Sequence, residues 1–408
     1  MQVIKKLVRA GMVVAMGIFA LACNAAQDSS AKELEGIVYS CPGADLAALS
    51  ASLHQYFKSL GVSPDDYSEH LDAANATLQF LRTDPDRGTD TLGLSFERGI
   101  ELREELIELP SAEKKPRTVV TVSKKEILLA LLQRGRTTGF SGAACNRQAL
   151  EDHIGVRQNI AAWSESIELH WPNGRSAHWN RKYWDHGNLK PHADLQVAVN
   201  DVFLNPQKYS IGCYTATKLI MVQGVLDYYR RIKKDLVTAQ AVQARLMVDG
   251  DPLTYIEPGA AWYFEKESTG QDLARAGKLM TMNTRVAADN FVPGDWVYFL
   301  NTDMRTYAKT GYEGSNAIYL GRGKFDDYYN DNNHNYTYWE KLQEVYEWRH
   351  NVFSRERDVA KIHPLTAAEI ESLGRTPEHG GLELGYRMSP YFFGFADLPA
   401  VVVPTTAQ

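Results

Sequence analysis

The chain has 408 residues, 44% of them apolar and 23% charged. This excludes wholesale disorder and a polytopic membrane protein, and allows two or three domains at roughly 100–200 residues each. A net charge of -6 and a pI of about 6.0, with no long Lys/Arg block, argue against a nucleic-acid partner.

Residues 1–22 read as an export signal. Lys5, Lys6 and Arg9 form a positive start, and residues 11–22 (GMVVAMGIFALA) are apolar but too short to span a bilayer. Cleavage after Ala22 fits the Ala20-Leu21-Ala22 pattern. Alternatively, Cys23 is the acylated first residue of a lipoprotein, with a lipobox that is imperfect at Leu21. Either way the expected location is outside a bacterial cytoplasm, in the periplasm or anchored to the outer membrane, with membrane contact only through a lipid on Cys23. Residues 23–33 form a polar tether.

With Cys23 at the processed terminus, Cys41, Cys145 and Cys213 remain. In an oxidising compartment three cysteines suggest one disulfide and one thiol. Cys41 and Cys145 flank one stretch of chain and are the expected pair. No C-x-x-C spacing occurs, and His170, His178, His186 and His192 fall at irregular intervals, so no metal site is expected.

Residues 34–150 read as a helical accessory domain. Residues 44–60 carry helical spacing stopped by Gly61, and 67–81 and 96–109 are further candidate helices. A β-branched run at 118–122 precedes Ser123, which caps a helix over 124–133. Residues 137–144 read as a loop. The core, 151–355, starts with a helix over 156–164, then irregular chain with short strands over 163–184. Gly212-Cys213 opens a long helix whose buried stripe includes Thr217, Ile220, Met221 and Val225. A cysteine at a helix start sits where the macrodipole favours a thiolate and where backbone N–H groups can form an oxyanion hole. The competing reading is a buried structural cysteine. Pro293-Gly294-Asp295 is a turn, 296–301 and 315–321 are strands, and Arg322-Gly323 turns into a third at 324–329. Residues 336–339 are either a strand or the start of a helix running to Arg349. Residues 356–408 are punctuated by Pro and Gly and read as a tail wrapping the body. Many of the 43 Tyr, Phe and Trp residues (21, 14 and 8) fall after residue 160. They supply a core and rim, or an aromatic substrate groove.

A helix-borne cysteine, then P-G-D with a strand, then a strand ending YLGRGK, resembles the papain-like superfamily, including bacterial cell-wall endopeptidases. Within it the chain looks most like the spore-coat type bacterial transglutaminase, a protein-glutamine gamma-glutamyltransferase. The likeness covers about 150–330 and rests on the cysteine helix at 211–226 and the strands at 294–299 and 314–321, with weaker similarity at 154–162 and 171–179. It implies an α+β fold, a cysteine helix packed on an antiparallel sheet. It also implies acyl transfer from a protein glutamine to a lysine amine through a thioester on Cys213, or deamidation with water. The partners are then proteins or peptides bearing Gln and Lys. No cofactor is expected, since neither a P-loop nor a Rossmann glycine pattern occurs.

Two departures stand out. That family pairs its cysteine with a glutamate in G-E-N, and this chain has Gly314-Ser315-Asn316. The family also has an acidic residue before the cysteine, and this chain has Gly212. The endopeptidases would need histidine at Ser315. Chemistry requires a proton acceptor near Cys213. Glu313 is the first candidate, because residues two apart on a strand share a face. His334, in the polar loop 330–334, is the second. Asp327 is a possible orienting residue, and Asp295 reads as a turn residue. Glu313 or His334 is expected to approach Cys213, with Ser315 lining the same pocket. The alternatives are an envelope amidase or endopeptidase acting on peptidoglycan peptides, and a catalytically degenerate binding module.

Overall fold

Ile37 and Val38 open the described chain as a strand, not a helix. The computed structural model describes residues 34–83, 88–94, 100–113, 115–172, 175–254, 256, 278–283, 286–327, 335–353, 363–375, 380–384 and 387–390. The export segment, Cys23, the tether to residue 33, His334 and the end of the tail lie outside the described residues.

Strand β1 (Gly36–Ser40) is followed by helix α1 (Leu46–Ser59), capped by the Asp45 side chain, which accepts from the Ala48 N–H. The helix expected at 67–81 is instead a hairpin, β2 (Tyr67–Asp72) and β3 (Thr77–Arg82). Burial along β3 alternates, with Leu78, Phe80 and Arg82 inward, a period of two. The Asp72 side chain accepts from the N–H groups of Ala74 and Asn75 and closes the turn. The segment expected as a helix at 96–109 ends as β4 (Glu105–Leu109), paired with β5 (Arg117–Thr121). Ser123 caps α2 (Lys124–Leu132) by accepting from the Glu126 N–H. Residues expected as a loop supply β6 (Thr137–Ser141), parallel to β1, in a sheet ordered β2-β3-β1-β6. Helix α3 (Arg147–Ser164) starts earlier than its sequence pattern suggested.

Cys41 follows β1, Cys145 precedes α3, and a disulfide joins them with 5.8 Å between their Cα atoms, across a sequence separation of 104. Closing so long a loop restricts the unfolded chain. Replacing both by serine is expected to cost about 2–5 kcal/mol, read as a lowered urea midpoint. An unchanged midpoint would contradict this.

The rest of the chain supplies β7 (Trp184–Asp185), β8 (Asn188–Leu189), α4 (Leu195–Leu204), α5 (Cys213–Asp227) and α6 (Leu236–Leu246). Strands β9 (Met280–Asn283), β10 (Trp296–Asn301), β11 (Gly314–Gly321), β12 (Lys324–Asp327) and β13 (Asn335–Thr337) come next, then a helix, Tyr338–Arg349. The segment at 336–339 is thus both strand and helix start. The tail does not simply wrap the body. It supplies β14 (Leu382–Leu384) and β15 (Arg387–Pro390), both paired to β10 in an antiparallel sheet ordered β13-β12-β11-β10-β15-β9.

This sheet is buried on both faces. Trp296 and Ile318 join one core with Ile37, Leu128, Ile160 and Val222. Val297, Phe299, Ala317 and Tyr319, the alternate residues, join a second with Trp348. The described residues from 35 onward form one compact unit, and buried residues of the 35–150 segment share a core with α3, α5 and the large sheet. The whole is α+β, with the cysteine helix packed on an antiparallel sheet.

Asp295 closes its turn by accepting from the Val292 N–H at 2.9 Å, and it does more. Fully buried, it accepts from Arg136 Nη2 at 2.7 Å and Arg157 Nη1 at 2.9 Å. Burial would raise its carboxyl, but the two guanidiniums outweigh burial and hold it at about 2. Arg157 Nε also donates to His153 Nε2 at 2.7 Å. Burial first, then the Arg157 charge, holds His153 well below 6.5. Below pH 6.5 the unfolded chain therefore takes a proton at His153 that the folded chain refuses. Stability falls as pH drops, by about 1.4 kcal/mol per pH unit from this group. Glu126 and Glu165, both raised to about 7, chiefly by burial, act oppositely: their contribution is present below 4.5 and lost as pH rises through 7. His153→Gln is expected to flatten the acid limb of urea stability against pH by that slope. An unaltered slope would contradict the assignment.

Candidate active site

Helix α5 starts at Cys213 because the preceding chain is pinned in extended form. Ser210 exchanges backbone hydrogen bonds with His178, and the Ile211 N–H donates to the His170 carbonyl at 3.1 Å. Gly212 is the N-cap and makes no side-chain cap bond. A Cβ on Gly212 would press on the Trp171 ring at 3.3 Å. A side chain at position 212 would therefore need the indole to shift by a few tenths of an ångström.

Cys213 is 7% exposed. Asn316 of β11 donates Nδ2–H to its Sγ at 3.5 Å, while Asn316 Oδ1 accepts from Trp296 Nε1 at 3.0 Å. The indole fixes the amide so that its donor end faces sulfur, and a donor at sulfur favours the thiolate. Tyr214 adds a ring contact to Trp296 at 5.6 Å, which holds the helix start against the sheet.

In the β10–β11 register Tyr298 stands opposite Asn316, on the Cys213 face. Its ring covers Gly314, where a Cβ would lie 2.8 Å from the phenol oxygen and 2.4 Å from the Phe299 carbonyl. Only glycine leaves the phenol room. Burial first, then the charges of Cys213 and Glu313, push the Tyr298 phenol up, so it stays a proton donor. Glu313 is one of the charges that act on this phenol. Its Oε2 is buried and makes no hydrogen bond among the described residues. A sealed carboxylate oxygen of this kind is a ready acceptor. Glu313 is placed by the last backbone bond before β11, from the Asn301 N–H to its carbonyl at 2.9 Å.

Ser315 does not line this pocket, contrary to expectation. Side chains alternate along β11, so with Asn316 facing Cys213, Ser315 faces the opposite core, and the shared-face argument that nominated Glu313 fails with it; Glu313 lies one residue before the strand starts at Gly314, so the alternation does not set its direction. There it is fully buried and accepts from Lys341 Nζ at 3.2 Å. Asp327 lies on that side too, paired with Lys341 at 2.8 Å, and orients no base at Cys213. His334 lies outside the described residues. Sequence reasoning missed Asn316 and Tyr298, although Asn316 is the third residue of the family triplet.

Beside the α5 start lies a cleft of about 540 Å³ lined by Trp179, His186, Ile211, Thr215, Lys218 and Asp251, among others. Burial pushes Lys218 down to about 8, with the Asp251 charge opposing. Among the described residues, no group of three His, Cys, Asp or Glu is placed to hold a metal.

The family model described as protein-glutamine gamma-glutamyltransferase matches residues 110–334, more than half the chain. The chain belongs to this family. The matched stretch includes Cys213, Glu313, Ser315 and His334, and begins before the expected core boundary at 151. Protein-glutamine gamma-glutamyltransferases from Bacillus cereus (strain B4264) and Bacillus anthracis (strain A0248) are each 28% identical over 144 residues, 35% of this chain. One from Bacillus mycoides is 26% identical over 143 residues. The chain spans 41% of the length of these relatives. A solved structure, the transglutaminase from Geobacillus stearothermophilus without its C-terminal extension, aligns at 18% identity with a TM-score of 0.38. That alignment covers 63% of this chain and 99% of that one.

Proposed function

We propose that this chain is a cysteine-dependent protein-glutamine gamma-glutamyltransferase, with Cys213 as nucleophile and Glu313 as proton acceptor. The observation that carries the reading is the Cys213 thiol at the start of α5, 3.5 Å from the Asn316 amide donor; Glu313, whose buried Oε2 makes no hydrogen bond among the described residues, is the acceptor in this reading. In this cycle Glu313 takes the thiol proton and sulfur attacks the side-chain carboxamide carbon of a protein glutamine. The proton passes to the departing nitrogen and ammonia leaves a thioester. A lysine amine then attacks, gives a proton back through Glu313, and frees the thiol with an isopeptide product; water in place of the amine gives deamidation. Asn316 and Tyr298 hold donors at the sulfur and the developing oxyanion. The proposal extends to the setting: the charged and apolar start of the sequence supports export, with Cys23 as the acylation site.

Incorporation of a labelled primary amine into casein tests the activity. Glu313→Gln is expected to lower kcat by about 10²–10⁴-fold, the range for a lost acid–base group. Wild-type activity in that variant would remove Glu313 from the reading. Release of muropeptides from peptidoglycan without amine incorporation would favour the hydrolase alternative.

A further inference from the structure

On the face of β11 opposite Cys213, Lys341 is buried among carboxylates. Its Nζ lies 2.8 Å from Asp327 Oδ2, with both side chains 0% exposed. It also contacts Glu344 Oε2, one helical turn away, whose side chain is 5% exposed. The Tyr336 ring centroid is 4.4 Å from Nζ and that of Trp348 5.5 Å. Ser315 Oγ supplies a further contact at 3.2 Å.

An ammonium in contact with two carboxylates inside an aromatic, buried shell is a costly arrangement, because the charges are desolvated. It is also the arrangement of an amide-forming reaction. The nucleophilic nitrogen sits in hydrogen-bond contact with one oxygen of the electrophilic carboxyl, the approach that preorganised reactions require. A second carboxylate stands on the same nitrogen as a proton carrier.

We propose that Lys341 and Asp327 condense without an external catalyst to an intramolecular isopeptide bond, with Glu344 relaying the protons. Glu344 takes one proton from the Lys341 ammonium. The neutral Nζ attacks Cγ of Asp327, and Glu344 delivers the proton to a carboxyl oxygen. The C–N bond forms, the second nitrogen proton takes the same route, and the C–O bond breaks to release one water. Glu344 ends as the carboxylate it was. Two protons move from nitrogen to the leaving oxygen, the buried ion pair disappears, and no redox partner is involved. The product staples β12 to the Tyr338–Arg349 helix. The site is separated from Cys213 by the sheet and does not depend on acyl transfer there.

Peptide mapping of the full-length protein, reduced and denatured, tests this directly. Chymotrypsin cuts after Tyr328 and Tyr329, between Asp327 and Lys341. The expected result is that the Asp327 and Lys341 peptides stay joined, with a combined mass short of one water. A Gln–Lys bond made by acyl transfer would lose ammonia instead. The link is expected in Cys213→Ala as in the wild type, and to fall to background in Glu344→Gln. Separate, unmodified peptides from the wild-type protein would overturn the proposal. A link absent from Cys213→Ala would overturn its independence from the active site.

Discussion

Cys213→Ala is expected to abolish amine incorporation into a glutamine-bearing protein, by a factor on the order of 10⁴–10⁶, the scale of losing a nucleophile in a covalent mechanism. The residual rate would come from donors that hold the substrate carbonyl. Sγ is the one atom removed. The site's other parts stay in place: Asn316 is fixed by Trp296 at 3.0 Å, and the ring contact of Tyr214 with Trp296 does not involve sulfur. The variant should therefore fold, with unchanged far-ultraviolet circular dichroism and a urea midpoint near that of the wild type. Amine incorporation at the wild-type rate in a folded Cys213→Ala protein would end the assignment of the nucleophile.

Asp295→Ala is expected to cost about 3–5 kcal/mol, the scale for breaking a buried ion pair by removing one partner. Total stability for a domain is typically only about 5–15 kcal/mol. The carboxylate serves two guanidiniums at once, on the chain just before β6 and on α3, and it also closes the turn into β10. Its loss leaves Arg136 and Arg157 facing each other without an intervening anion. Asp295→Asn keeps the acceptor oxygen without the charge and should fall between the two. Denaturant titration of both variants checks the order, and a near-wild-type midpoint for Asp295→Ala would contradict it.

The parts of the site legible in the sequence are those with local signals. Gly212-Cys213 before an apolar run marks the start of α5, and Pro293-Gly294-Asp295 before an alternating run marks β10. Phase was not legible. The triplet Gly314-Ser315-Asn316 places serine where the family has glutamate, but only the pleat shows that Asn316 faces the sulfur and Ser315 faces Lys341. The hairpin at 67–82 was hidden because Leu71, Leu78 and Leu81 also suit a helix. The turn that decides it is closed by the Asp72 side chain, over a stretch with no glycine or proline. The cluster of Arg136, Arg157 and Asp295 joins residues far apart in sequence, and no local pattern announces such a contact. The tail's role in the sheet is of the same kind: β15 gains its meaning only from β9 and β10.

The central claim is that the thiol of Cys213 carries the acyl group, and trapping that intermediate tests it most directly. The protein is mixed with a glutamine-donor peptide in the absence of any amine, quenched in acid and mapped by mass spectrometry. The account predicts the donor's acyl group on Cys213, labile to hydroxylamine, and greatly reduced in Glu313→Gln. An acyl group on another residue, or amine incorporation by a protein whose Cys213 is blocked by alkylation, would contradict it.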